Sequence, residues 1–135
     1  MSELHPNVAL LSALDLRDLD ASAKLFSDDF VWHYFNPNLP ELEGDFAGLE
    51  GLKRFFRTLA TNTKSTFKVE PISATPFGNE FVVTHVRDTM EHEGNPISLD
   101  AVVVWRIVGG KLAEAWDIPA THNVVTLSGG NSSET

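Results

Sequence analysis

Two carboxylates and a short polar run are the residues in this chain best suited to chemistry. Asp88 and Asp117 lie in long β-patterned stretches, FVVTHVRDTMEH and KLAEAWDI, set among largely apolar neighbours. His33, Tyr34 and Asn36 fall together in the aromatic run FVWHYFN. An ionised carboxylate that is buried must find hydrogen-bond donors or rise in pKa, because desolvating its charge is costly. Two such groups whose pKa values are pushed apart can divide the roles of acid and base. If they point outward instead, the same pair only solubilises a sheet. His33 suits either a core position or a pocket base, since imidazole titrates near working pH.

Side chains alternate between the faces of a strand. In the stretch from Phe81, one face collects Val82, Thr84, Val86, Asp88 and Met90; Arg87 and His85 belong to the other. In the last stretch Asp117 falls in register with Ala113 and Ala115, while Leu112, Glu114, Trp116 and Ile118 lie opposite. Small neighbours beside Asp117 leave room for a pocket floor. Phe56, Val86, Met90, Val103 and Trp105 are the expected apolar lining.

The elements that must hold these residues read as helices followed by strands. Val8, Leu11 and Leu14 recur at helical spacing. Asp20 suits the N-cap of a second short helix carrying Ala21, Leu25 and Phe26, broken by Ser27-Asp28-Asp29. Phe30 to Phe35 suits a strand, and the two prolines of Asn36–Pro40 dictate a loop. Leu49, Leu52, Phe55, Phe56 and Leu59 restore a helical stripe after Gly48, with a stop at Asn62. From Ser65 the pattern is β. Strands are expected over Thr66–Ile72, Phe81–Glu91, Ile97–Val108 and Lys111–Ile118, with turns at Pro76–Asn79 and Glu93–Pro96 and a hairpin at Gly109-Gly110. This order predicts an α+β domain, a curved antiparallel sheet wrapped around helices with a cavity at its open end. Residues 1–127 form the domain and 128–135 a flexible tail.

Composition narrows the partners. The 135 residues carry a formal net charge of −9 with only ten Lys and Arg, which argues against nucleic acid or an anionic membrane surface. The Lys53-Arg54-Phe55-Phe56-Arg57 cluster reads as the solvated face of a helix. There is no cysteine, hence no disulfide or thiolate nucleophile, which fits a reducing cytoplasm. The N-terminus lacks the pattern of a signal peptide. The five histidines form no His-x-His or His-x-x-x-His pair, so no metal site is expected. Nucleotide-binding and nucleophile-elbow motifs are missing too, so no cofactor is expected.

Three segments, SDDFVWHYFNPNLPELEG, GLEGLKRFFRTL and GGKLAEAWD, resemble the SnoaL-type and ketosteroid-isomerase-like families of the nuclear-transport-factor-2-like superfamily. With the strand order, the resemblance spans about Val8 to Val125. It implies a cone-shaped α+β barrel of the cystatin-like kind with an apolar pocket, often a homodimer through the outer sheet face. The catalytic pattern is most similar to limonene-epoxide-hydrolase-like enzymes. Tyr34 and Asn36 match their Tyr-x-Asn, Asp88 matches the aspartate of their Arg-x-Asp, and Asp117 matches the aspartate after the Gly-Lys hairpin. Their arginine position, however, is Val86 here. Without that charge two close carboxylates repel, and one tends to stay protonated. The ketosteroid-isomerase pattern fits less well, with Val103 where its hydrogen-bonding aspartate would be. SnoaL-type cyclases carry an acid/base aspartate that Asp117 resembles, and need no cofactor.

The resulting expectation is a cofactor-independent enzyme acting on a small apolar molecule by cyclase, isomerase or epoxide-hydrolase-like chemistry. Asp117 is the expected base and Asp88 its acid partner, with Tyr34, Asn36 and His33 positioning water or substrate. The alternative is a non-catalytic ligand-binding or dimeric association module of the same fold.

Overall fold

A computed structural model describes residues 5–127, so the flexible tail expected at 128–135 lies outside the described residues. The elements are α1 (Pro6–Ser12), a 3₁₀ turn (Ala23–Leu25), β1 (Phe26–Tyr34), β2 (Gly44–Ala47), α2 (Gly48–Asn62), β3 (Lys68–Phe77), β4 (Phe81–His92), β5 (Asn95–Val108), β6 (Lys111–Pro119) and β7 (Val125–Thr126). The strands form one curved sheet in the order β2-β1-β6-β5-β4-β3, with β7 added along β5. This is the α+β cone that the sequence predicts. The sheet is mixed rather than wholly antiparallel, because β1 runs parallel to β6.

Four local readings need correction. Strand β3 spans Lys68–Phe77 and not Thr66–Ile72, taking in Pro76 and Phe77 of the expected turn, because a strand at the sheet edge tolerates proline. The second helix is only a 3₁₀ turn, and Phe26 already belongs to β1. Its apolar stripe of Ala21, Leu25 and Phe26 is too short to favour a full helix over the adjacent aromatic strand. Ser27-Asp28-Asp29 does not end a helix but bulges from β1, where the pairing with β6 jumps from Phe26↔Leu112 to Val31↔Glu114. Strands β2 and β7 were not expected at all. Their four and two residues are too short for an alternation signal.

Helix α2 lays Leu52, Phe55 and Leu59 onto the concave face of the sheet, against Phe30, Trp32, Trp105 and Leu112. Gly51 lets it come close. A Cβ there would stand 2.8 Å from the carbonyl carbon of Phe46 in β2. The β5–β6 hairpin turns at Gly109 and Gly110, both at positive φ (59° and 77°), as a two-residue turn matched to strand twist requires.

Candidate active site

Register carries the candidate residues across the sheet in rows. Tyr34 pairs with Asp117, Asp117 with Val103 and Val103 with Thr84, so four strands contribute one row on the concave face. The row beneath it is Trp32, Ala115, Trp105 and Val82, all buried. Asp88 pairs with Leu99 on β5, four residues from Val103, which sets it two inward-facing pairs nearer the mouth. These rows line a cavity of about 160 Å³ roofed by Phe55, Phe56 and Leu59 of α2. Asn38, His92, Thr121 and Val124 ring its mouth.

Most of the sequence-derived residues converge here. Asp88, Asp117, Tyr34, Asn36, Phe56, Val86, Met90, Val103 and Trp105 all line the cavity. His33 does not. One residue from Tyr34 along β1, it faces the convex side, its Nδ1 2.7 Å from Asp45 and its Nε2 2.6 Å from Glu114, with its ring stacked on Trp116. Strand alternation excludes it from the pocket, and its expected role in positioning water is withdrawn. Arg87 also faces outward, 3.4 Å from Asp100, as alternation predicts.

The expected neighbours of Asp117 were partly misassigned. Between Arg106↔Glu114 and Ile107↔Leu112 the β5–β6 register skips Ala113, a bulge that reverses the alternation. Leu112 therefore points into the core and Ala113 leaves the inner face. Ala115 remains the small neighbour below Asp117. Thr84 and Trp32 are wall residues that the site reading missed. Thr84 accepts a hydrogen bond from Trp105 Nε1 (3.1 Å) and donates to the Val103 carbonyl (3.3 Å). Its place on the Asp88 face was readable; its link to Trp105 depends on cross-strand register.

The polar groups are arranged around the acids. Tyr34 ends β1, and the Phe35 N–H donates to the Asp117 carbonyl (3.2 Å), turning the chain into the Asn36 loop. Asn36 is buried, accepts the Asn38 N–H at its Oδ1 (3.0 Å) and donates its amide to the Tyr34 hydroxyl (2.9 Å). That leaves the phenolic proton free to donate. Burial holds Tyr34 well above the ordinary tyrosine range, with the charges of Asp117 and Asp88 adding to the rise. It stays a neutral donor.

Asp88 and Asp117 are 8% and 9% exposed, and Asp88 Oδ1 has no hydrogen-bond partner among the described residues. Burial, then the charge of Asp100 beyond the sheet, pushes Asp88 up to about 7. Burial also drives Asp117 well above the carboxylate range, and the charge on Asp88 adds to it. Both carboxyls therefore hold their protons well above the ordinary carboxylate range, and the charge of one opposes ionisation of the other.

The family is now decided by comparison. Residues 8–115 match the SnoaL-like domain. The chain belongs to the SnoaL-like domain family. Three solved structures illustrate the shared fold. A nuclear-transport-factor-2-like protein from Burkholderia pseudomallei is 22% identical with a TM-score of 0.75, covering 88% of this chain and 94% of its own. TerC, co-crystallised with polyporic acid, is 22% identical with a TM-score of 0.74, covering 87% and 94%. A candidate SnoaL-like polyketide cyclase from Jannaschia sp. CCS1 is 14% identical with a TM-score of 0.69, covering 89% and 92%. At these identities the likeness is one of fold. No curated protein matches the chain. No helix among the described residues is long and apolar enough to cross a membrane.

Proposed function

We propose that this SnoaL-like protein is a cofactor-independent acid/base catalyst for a small, largely apolar substrate, of the cyclase or isomerase kind. The observation that carries this reading is two buried carboxyls, both with raised proton affinity, on the wall of one apolar cavity. Asp88 is the base, able to take a proton from carbon next to a carbonyl. Asp117 is the acid, and with Tyr34 it supplies the hydrogen bonds that a developing enolate oxygen requires. Asn36 holds the Tyr34 ring so that its hydroxyl proton stays available. Val86 on the cavity wall leaves no cation between the acids, which disfavours epoxide hydrolysis relative to enolate chemistry.

Screening cyclic carbonyl compounds and epoxides against the wild type and Asp117→Asn tests this. The variant should keep its fold by circular dichroism and lose turnover by at least about 100-fold, the usual scale for a general acid. Unchanged turnover in Asp117→Asn would remove the assignment.

The second reading, a ligand-carrying or association module, draws on the convex face. Val102 and Ile118 are exposed there and directly paired, beside Val104 and Trp116. We propose that this face forms a homodimer, whether or not the cavity is catalytic.

A further inference from the structure

The cavity holds two acids and, among its described lining residues, no Lys or Arg. The groups facing Asp88 are Tyr34 and Asp117 across the cavity and His92 at the mouth. Asp100, whose charge also reaches it, lies beyond the sheet and is engaged by His85 and Arg87. Among the described residues nothing is set to neutralise Asp88, whose Oδ1 is buried and has no hydrogen-bond partner among them. A buried carboxylate in that condition is stabilised most by a cation brought from outside. The rest of the wall is suited to one. Trp32, Tyr34, Phe55, Phe56 and Trp105 surround the space, with Trp32 centred 5.6 Å from Trp105 and 5.9 Å from Phe56. Aromatic faces attract ammonium groups, more strongly where water is excluded. A volume of about 160 Å³ admits one small ring, as apolar cavities of about 150 Å³ admit benzene.

We propose that the cavity binds a compact organic ammonium ion carrying a single ring, its nitrogen against Asp88 and its ring resting on the aromatic wall of Trp32, Phe56 and Trp105. This goes beyond the acid/base reading of the same site: an ammonium ion held at Asp88 occupies the proposed base, so it is a ligand that competes with turnover and not the substrate. Binding of the cation draws Asp88 into its ionised form and releases the proton it held, so affinity for the cation rises with pH through the titration of Asp88 near about 7.

Benzylammonium, benzyl alcohol and benzoate share one ring and nearly one size, and differ in charge. Isothermal titration calorimetry of each at about pH 6 and about pH 8 brackets the Asp88 titration. At the higher pH benzylammonium should bind at least about tenfold more tightly than benzyl alcohol, with benzoate weakest. The ratio should shrink at the lower pH, and in Asp88→Asn it should fall to about one while the alcohol still binds. Benzyl alcohol matching benzylammonium at the higher pH would overturn the proposal. So would a charge preference that survives Asp88→Asn, or no binding of benzylammonium to the wild type. If these fail while Asp117→Asn still abolishes turnover of a carbonyl compound, only the ligand class falls and the acid/base reading stands.

Discussion

A carboxyl buried without donors binds its proton more tightly in the folded chain than in the unfolded one, so folding takes up protons and stability falls as pH rises. For Asp88 this loss runs from the ordinary carboxylate range up to about 7, and amounts to on the order of 4 kcal/mol. Asp88→Asn removes it. The variant should melt roughly 10 °C above wild type at about pH 8 and level with it near about pH 4, measured by thermal denaturation across that range. An offset independent of pH would mean that Asp88 finds partners in solution. Turnover has the opposite dependence on its lower limb. It needs Asp88 ionised, so kcat/KM should rise through about 7, then fall once Asp117 loses its proton. At this scale alternation set Asp88 and Asp117 each among apolar or small neighbours, and the family resemblance implied that Tyr34 and Asn36 share their pocket; all four line one cavity. The sequence could not show how far either proton affinity is raised, because that depends on burial and neighbours contributed by distant strands.

Strand β1 positions Tyr34, and two devices hold it. On its convex side His33 bridges Asp45 of β2 and Glu114 of β6, tying three adjacent strands together. Burial lowers the His33 pKa, but the hydrogen bonds and charges of Asp45 and Glu114 outweigh it, and the net shift is upward. A raised folded-state pKa gives stability that is complete below the ordinary histidine value and lost as pH climbs through the folded one. His33→Gln should therefore lower the melting temperature at about pH 6 and change it little at about pH 9; equal losses at both would make the tie one of packing alone. On the concave side α2 rests against β2 through Gly51. Gly51→Ala drives a methyl into the Phe46 backbone and should destabilise the domain by about 1–3 kcal/mol, read from chemical denaturation. The periodic elements were partly legible here: α2, β4, β5 and β6 stand close to where the apolar spacing puts them, whereas β3 runs five residues past its expected end. The bulges at Ser27–Asp29 and Ala113 were not. A bulge arises from competition between two strands for register, and neither strand shows it alone.

The proposed dimer belongs to the whole molecule. Ile118→Glu with Val102→Glu puts charge at the centre of the convex apolar patch, and sedimentation should then report a monomer that keeps its cavity ligand affinity. A wild type that already sediments as a monomer would remove the dimer. The parallel pairing of β1 with β6 was beyond the sequence, since no local signal links strands at opposite ends of a chain. That pairing also decides when the cavity comes into being. Tyr34 and Asp117 are neighbours across one ladder yet separated by most of the polypeptide, so their contact closes a very long loop. Folds dominated by such distant pairings form slowly, on the order of milliseconds to seconds. During synthesis β1 leaves the ribosome before its partner strand exists, with Phe30 and Trp32 uncovered. The two halves of the site meet only once β6 has emerged, so no N-terminal fragment ending before β6 can bind ligand. The cavity thus forms only after β6 has been made, and ligand present during refolding should speed the final phase only if it binds before that ladder closes.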